Sequence, residues 1–268
     1  MNASAQLLVV DPQNDFCDVP GAALPVPGAN ADLDRLAAFV DRCGDRFGSI
    51  HVTQDAHHAL DIAHPGWWQD ADGQLPAPFT LITPEDIRAG KWRARQPALA
   101  DVALAYVDAL AAGGRYQLVI WPEHCLFGSW GMGVQPRLLD SLNRWSRRQL
   151  RQVQFHQKGM NPLTEHYSAL QAEVPDAADP RTLPDPLFLA EMARADQLVV
   201  AGEALSHCVA GTVRDLVHLL GPESASRMTL LVDCASPVPG FESLGAAFVD
   251  EMTALGLQLA RSTEWSVA

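Results

Sequence analysis

The sequence predicts an α/β fold of three layers, in which a mainly parallel, Rossmann-like central sheet lies between two layers of helices. Short apolar runs rich in β-branched residues alternate with longer segments of helical periodicity, which is typical of parallel strands buried on both faces. Polar residues suited to catalysis or metal binding directly follow several of these runs. Because the carboxyl ends of parallel strands meet at one edge, where open α/β sheets bind their ligands, we expect a functional site there.

The predicted elements alternate regularly along the chain. Strands are predicted at residues 6–11, 49–53, 117–121, 153–156, 197–202 and 229–233, with a weaker one at 257–259. The spacing of Leu33, Leu36 and Val40 predicts the first helix. The clearest helix lies at residues 209–220, where one face is apolar, and it is stopped by Gly221 and Pro222.

One region breaks this alternation and bears on the number of domains. The chain has 268 residues, which at about 150 residues per domain allows one enlarged domain or two small ones. Residues 61–95 are rich in Pro, Gly, Trp and Asp with little periodicity, and an extra helix is predicted at about residues 99–110. Loops this long inside compact domains are usually functional or are insertions. We therefore predict a single domain over residues 1–268, with a loop-rich insertion at about 59–115 over the ligand-binding edge.

Composition and charge exclude several classes of function. The formal net charge is −13, so the chain lacks the basic surface that binds nucleic acid or anionic lipid. No apolar run reaches the roughly 18 residues of a membrane span, and residues 1–5 lack the basic segment of a signal peptide. The five cysteines include no CxxC pair, which does not fit a secreted disulfide framework. We predict a cytoplasmic protein without nucleic-acid or membrane partners.

Cys208 is the first candidate for catalysis. It follows the strand at 197–202 and opens the clearest helix, where the positive end of the helix dipole favours a thiolate. A thiolate near Asp11 and Lys158, which follow two other strands, is a plausible nucleophile for acyl transfer. The alternatives stay open from position alone, because a free cysteine is commonly a small buried apolar residue. Asp11 and Lys158 could likewise lie in ordinary polar turns.

A second candidate site is a metal centre. Asp55 and His57 follow the strand at 49–53 two residues apart, so their side chains point the same way on an extended segment. With His124 they could form a carboxylate–His–His site with open coordination positions. His58 and His64 are near enough in sequence to replace a ligand or to add a fourth. Because the chain has nine histidines, chance clustering in a surface loop is the alternative.

Five segments, taken in order, resemble the signatures of the isochorismatase-like cysteine hydrolases and, within them, of the nicotinamidase branch. The segments are DPQNDFC at 11–17, TQDAH at 53–57, WPEHC at 121–125, KG at 158–159 followed by YSA at 167–169, and GEALSHCV at 202–209. Two features depart from the branch. Leu205 and Ser206 stand where Thr and Asp are usual, and the segment between His57 and His124 is longer than in compact members.

The resemblance implies a catalytic triad of Cys208, Asp11 and Lys158. Asp11 would take the thiol proton and later pass it to the leaving ammonia, while Lys158 would hold the acid and the thiolate in place. Attack on a carboxamide would give a thioester that water hydrolyses. The backbone amides of Ala204 and Cys208 would form the oxyanion hole, with a cis peptide bond between Glu203 and Ala204.

The resemblance also implies a divalent metal, expected to be zinc, whose ligands would be Asp55, His57 and His124. In this branch the metal orients the substrate ring. Aromatic positions of the substrate pocket are matched by three residues, Phe16, Trp121 and Tyr167, which would also be unremarkable in a core.

The resulting prediction is a metal-dependent cysteine amidohydrolase that releases ammonia from nicotinamide or a related small carboxamide. Its partners would be this small-molecule amide and further copies of the chain in a homo-oligomer. One alternative is a hydrolase of another small amide, such as a carbamoyl or maleamate-like compound. A further alternative is a catalytically inactive protein that uses the fold for binding.

Overall fold

A parallel sheet forms the centre of the protein in the computed structural model, which describes residues 5–266. Residues 1–4, where the sequence predicts no signal peptide, lie outside the described range. The strands are β1 Ala5–Val10, β2 Phe47–Asp55, β3 Trp68–Gln69, β4 Leu81–Ile82, β5 Arg93–Ala94, β6 Leu118–Val119, β7 Gln154–Lys158, β8 Gln197–Gly202, β9 Met228–Leu231 and β10 Gln258–Ala260. The helices are α1 Ala29–Cys43, α2 Pro84–Arg88, α3 Ala100–Gly113, α4 Pro136–Gln149, α5 Pro186–Ala193, α6 Ala210–Leu220 and α7 Glu242–Ala254.

Six of the strands form the central sheet in the order β10-β9-β8-β1-β2-β7, and every neighbouring pair is parallel. The two faces of β1 enter different cores. Leu7 and Val9 belong to a buried cluster shared with α1 and α4, whereas Leu8 and Val10 belong to one shared with α3, α5, α6 and α7. The predicted three-layer α/β fold is therefore confirmed. Among residues 5–266, no helix is both long and apolar enough to cross a membrane.

The predicted strand at 117–121 is wrong as a member of the central sheet. Only Leu118 and Val119 form a strand, and it pairs antiparallel with β4 of the insertion. The backbone on either side is also held by the insertion: the Ile120 N–H donates to Thr80 O (2.8 Å), and the Trp121 N–H donates to Ala63 O (2.8 Å). The run is apolar because it is buried, but its hydrogen-bond partners come from the insertion and not from the sheet.

The insertion is more ordered than its composition indicates. It carries α2, α3 and the short strands β3 to β5, and its buried side chains join the same core cluster as Leu8 and Val10 of the sheet. Trp68 is fully buried in this cluster, and its indole N–H donates to Ile62 O (2.7 Å). This shared packing supports the prediction of a single domain.

We expect Trp68→Ala to lower the free energy of unfolding by about 3–5 kcal/mol, because it leaves a large cavity in the shared core. Trp130 is a matched control, since its side chain is 53% exposed, and Trp130→Ala should cost less than about 1 kcal/mol. Chemical denaturation followed by circular dichroism measures both values. Equal effects for the two variants would contradict a core shared between insertion and sheet.

Candidate active site

Lys158, the last residue of β7, lies at the centre of a buried cluster at the carboxyl edge of the sheet. Its Nζ is 3.0 Å from Asp11 Oδ2, 3.0 Å from Asp55 Oδ1 and 3.6 Å from Cys208 Sγ. It also donates a hydrogen bond to His166 O (2.7 Å). The structure thus brings Cys208, Asp11 and Lys158 together, as the sequence predicts.

Strand pairing positions the acids of this cluster. Asp55 and Lys158 are register partners at the ends of β2 and β7. Asp11 follows β1 in a left-handed backbone conformation (φ +41°), and two contacts with Thr53 fix it. The Asp11 N–H donates to Thr53 Oγ1 (3.0 Å), and the Thr53 hydroxyl donates to Asp11 Oδ1 (2.5 Å). Thr53 lies within the predicted metal-binding motif, but the sequence does not reveal that it orients the catalytic acid.

Asp55 has two sets of contacts, one with histidines, which the sequence predicts, and one with Lys158, which it does not. Its Oδ2 is 3.1 Å from His57 Nε2 and 3.5 Å from His124 Nε2, as expected of metal ligands. Its Oδ1 contacts Lys158. Burial alone would raise its pKa, but His57 and Lys158 hold the pKa of Asp55 well below its usual range. Asp55 therefore joins the proposed metal centre to the proposed triad.

Cys208, the candidate nucleophile, lies on a tight turn between β8 and α6. β8 ends at Gly202 (φ +116°), where a Cβ atom would lie only 2.0 Å from Val10 O, so only glycine fits. The Glu203–Ala204 peptide bond is cis, as the resemblance implies. A π-helical turn over Leu205–Val209 then carries Cys208 into the site. Ala204 O accepts hydrogen bonds from the N–H groups of His207 and Val209, which fixes the turn.

The structure does not support the expectation that the helix terminus favours a Cys208 thiolate. Cys208 lies inside the π-helical turn and not at the first residue of α6. Burial raises the pKa of the Cys208 thiol well above its ordinary value; Lys158 opposes this effect, whereas Asp11 and Asp55 add to it. Asp11 and Asp55 hold the pKa of Lys158 well above its usual range, although burial alone would lower it. Both directions favour a neutral thiol beside a charged lysine, so Cys208 would need a base to act as a nucleophile.

Three buried histidines form a cluster that fits a metal ion. Potential ligand nitrogens of His57, His64 and His124 all lie within 4.8 Å of one another. The outer nitrogens are already engaged: His57 Nδ1 is 3.1 Å from Asp61 Oδ2, and His124 Nδ1 is 2.9 Å from Pro122 O. Such partners orient the remaining nitrogen of a metal-ligating histidine toward the metal.

His64, and not His58, is the additional residue of the cluster. Both ring nitrogens of His64 are buried and have no hydrogen-bond partner among the described residues. Burial lowers the pKa of His64 to about 2, so the ring is neutral and able to act as a ligand. His58 is exposed and lies against Phe127. The unpaired nitrogens, the neighbouring Asp55 and the tight clustering all match the donor set of a divalent metal site.

A narrow pocket leads to Cys208 and is bordered by the three predicted aromatic residues, Phe16, Trp121 and Tyr167. The Trp121 indole N–H donates to the Tyr167 hydroxyl (3.0 Å). The sequence reasoning missed two further residues of this pocket. Glu165, two positions before Tyr167, has an unpaired Oε2, and burial raises its pKa to about 7. His207 directly precedes Cys208, and this adjacency in the sequence is the signal that could have identified it as a residue of the pocket.

The chain is similar along nearly its whole length to known nicotinamidases. It is 28% identical over 259 residues to nicotinamidase from Escherichia coli strain K12, a match that covers 97% of this chain and 95% of that protein. Yeast nicotinamidase has the same fold, with a TM-score of 0.65, 19% identity and coverage of 96% and 99% of the two chains. The pyrazinamidase of Pyrococcus horikoshii in complex with zinc follows with a TM-score of 0.55, 17% identity and coverage of 96% and 99%. No model of a protein family matches the chain. The predicted resemblance to the nicotinamidase branch is confirmed.

Proposed function

We propose that this chain, a relative of the nicotinamidases, is a metal-dependent cysteine amidohydrolase that releases ammonia from nicotinamide or a related small carboxamide. Hydrolysis of an amide C–N bond is the reaction class that its whole-length similarity to a nicotinamidase supports. The observation that carries the mechanism is the set of contacts around Lys158, which places Asp11 and Cys208 against one ammonium group. A protein used only for binding would not need this buried set.

The first half of the reaction forms a thioester. Asp11 accepts the proton of the Cys208 thiol, and the thiolate attacks the carbonyl carbon of the substrate. The backbone N–H groups of Ala204 and Cys208 donate to the oxyanion that develops. Asp11 then passes its proton to the amide nitrogen, the C–N bond breaks, and ammonia leaves.

The second half hydrolyses the thioester. Asp11, again a carboxylate, accepts a proton from a water molecule that attacks the thioester carbon, and the same amide groups hold the second oxyanion. The C–S bond breaks, the thiolate takes back the proton, and the carboxylic acid product leaves. The charged Lys158 stabilises both the Asp11 carboxylate and the transient thiolate throughout, because it contacts both groups.

Asp55, His57, His124 and His64 would hold a divalent metal ion at the end of the pocket. When bound, a metal there supplies a Lewis acid that accepts a lone pair of the substrate and so orients its ring. We propose zinc, since imidazole and carboxylate are ligands that zinc accepts, and the Pyrococcus horikoshii pyrazinamidase of the same fold was solved in complex with zinc.

Ammonia release from a panel of small amides, with nicotinamide first, tests the proposed function. Turnover of nicotinamide or another heteroaromatic carboxamide is the expected result. Turnover of only carbamoyl or maleamate-like compounds would favour the first alternative. If the purified, metal-loaded protein released ammonia from none of them, the proposed activity would be wrong.

A matched pair of histidine variants tests the metal centre. We expect His64→Ala to weaken zinc binding by at least about tenfold, because it removes one of the clustered donors. His58→Ala should leave zinc binding unchanged, since this histidine is exposed outside the cluster. Titration of the metal-free proteins with zinc against a chromophoric chelator gives both affinities. Equal zinc binding by the two variants would remove His64 from the ligand set.

We further propose a cytoplasmic location and a homo-oligomeric assembly. All five cysteines are buried and unpaired, which fits a reducing compartment. Size-exclusion chromatography with light scattering at several concentrations measures the assembly, and a monomer at every concentration would contradict it.

A further inference from the structure

Ser206, at a position that departs from the usual motif, forms a buried pair with His207 directly before Cys208. Ser206 is fully buried, and its Oγ accepts a hydrogen bond from the Val238 N–H (3.0 Å). The same Oγ lies 2.8 Å from His207 Nδ1. Because Val238 borders the catalytic pocket, Ser206 holds both a pocket wall and the ring of His207.

These contacts determine which ring nitrogen of His207 carries the proton. Burial lowers the pKa of His207 to about 3, so the ring is neutral and has one N–H. The Ser206 oxygen accepts a hydrogen bond from the Val238 N–H. Among the described residues, His207 Nδ1 is the acceptor that lies within reach of the Ser206 hydroxyl proton. The hydroxyl therefore donates to Nδ1, and the proton of the neutral ring lies on Nε2.

The resulting Nε2–H group has no partner among the described residues, and His207 borders the pocket that leads to Cys208. His207 is 2% exposed, and Nε2 makes no hydrogen bond with any described residue. The ring stacks on Tyr116 (5.3 Å between centroids) and meets the edges or faces of Trp121, Tyr167 and Phe241 at 4.9–5.2 Å. A buried donor without an acceptor is costly, so a bound molecule that supplies an acceptor is favoured over one that does not.

We propose that His207 is a specificity-determining residue whose Nε2–H donates to an acceptor on the acyl part of the substrate, and that Ser206 is the positioning residue that fixes this tautomer. The inference rests on the proposed function and deepens it. The substrate class is a small heteroaromatic carboxamide with three hydrogen-bond acceptors. Two are the carbonyl oxygen and the ring nitrogen that would face the histidine cluster, and the third would accept from His207. Diazine carboxamides meet this description, whereas pyridine-3-carboxamide lacks the extra acceptor.

Steady-state kinetics with three amides tests the hydrogen bond. Pyrazine-2-carboxamide and pyrimidine-5-carboxamide each keep the nitrogen of pyridine-3-carboxamide and add a second nitrogen at a different ring position. In each protein, the kcat/KM of a diazine is divided by the kcat/KM of pyridine-3-carboxamide. For at least one diazine, this ratio should be about tenfold higher in the wild type than in His207→Phe, which is the effect of one hydrogen bond. Comparing ratios between proteins cancels the intrinsic reactivity of the amides.

Variants of the neighbours separate recognition from folding. Ser206→Ala should lower the same ratio. Ser206→Thr should keep the ratio near its wild-type value, because threonine retains the hydroxyl. Tyr116→Phe keeps the stacked ring and should leave the ratio unchanged. If the wild type hydrolyses all three amides and His207→Phe keeps the wild-type ratios, the inference is wrong and the proposed function stands.

Long-range nitrogen NMR of the histidine rings tests the tautomer without any turnover. The signals of His207, assigned by their loss in His207→Phe, should show a protonated Nε2 and an unprotonated Nδ1 near neutral pH. A proton on Nδ1, or on both nitrogens, would overturn the inference even in an active enzyme. If the wild type releases ammonia from no amide, the proposed function and the specificity role of His207 both fall.

Discussion

Cys208→Ala should lower kcat/KM for ammonia release by at least about 10³-fold, because it removes the atom that would form the thioester. The change deletes only one sulfur from a small buried side chain, so we expect the variant to fold normally. Activity assays and thermal unfolding of the same preparations measure the two effects. Acid-quenched wild-type enzyme should also gain the mass of the acyl group, and the variant should not.

Cys234→Ala is the matched control, since Cys234 is equally buried but belongs to the core cluster shared with α1 and α4. Its activity should stay near that of the wild type. Full activity in Cys208→Ala would show that another group attacks the substrate, and loss of activity in both variants would indicate a shared folding defect.

Lys158→Met has the second large expected effect, on stability as well as on activity. Removing the ammonium leaves Asp11, which is 0% exposed, without its cationic partner, and takes from Asp55, which is 3% exposed, one of its two cationic neighbours. Breaking a buried ion pair from one side costs about 3–5 kcal/mol, and ammonia release should fall below detection. Chemical denaturation measures the change in the free energy of unfolding.

An exposed lysine provides the control for this prediction. Lys91 lies 2.9 Å from Asp86 with its side chain 60% exposed, so Lys91→Met should cost less than about 1 kcal/mol. Adding Asp11→Asn to Lys158→Met should recover part of the lost stability, because the carboxylate left without a cation is removed. A Lys158→Met protein as stable as the wild type would contradict a charged lysine between two carboxylates.

Much of the fold could be predicted because burial on both faces leaves a clear signal in the sequence. The runs that form β1 and β8 are short and largely apolar, and Asp11 directly follows β1. The strands β2 and β7 are less apolar, but they end in Asp55 and Lys158. The segment from Gln117 to Trp121 is also short and apolar, yet it pairs with the insertion and not with the central sheet. Apolar composition indicates that a strand is buried but does not identify its hydrogen-bond partner. Which strands pair is decided by contacts between distant segments, which a single sequence does not display.

The same limit explains what was predicted and missed in the candidate site. The predicted acids, the lysine, the cysteine and the histidines could be named because strand ends and family-like motifs mark them. The contact between Asp55 and Lys158 depends on the register between β2 and β7. The choice of His64 over His58 depends on the path of the insertion. The raised pKa of the Cys208 thiol depends on its burial, which the position of a residue in the sequence does not display.

The insertion has a consequence for how this enzyme can diverge. The proposed triad is carried by β1, β7 and the turn after β8, whereas His64 comes from the insertion and Trp121 from the segment that follows it. Part of the proposed recognition site thus lies on a different stretch of the chain from the proposed triad, although His207 directly precedes Cys208. Mutations in the insertion would then alter the choice of amide while Cys208 and Asp11 stay unchanged, so relatives with the same triad need not share a substrate.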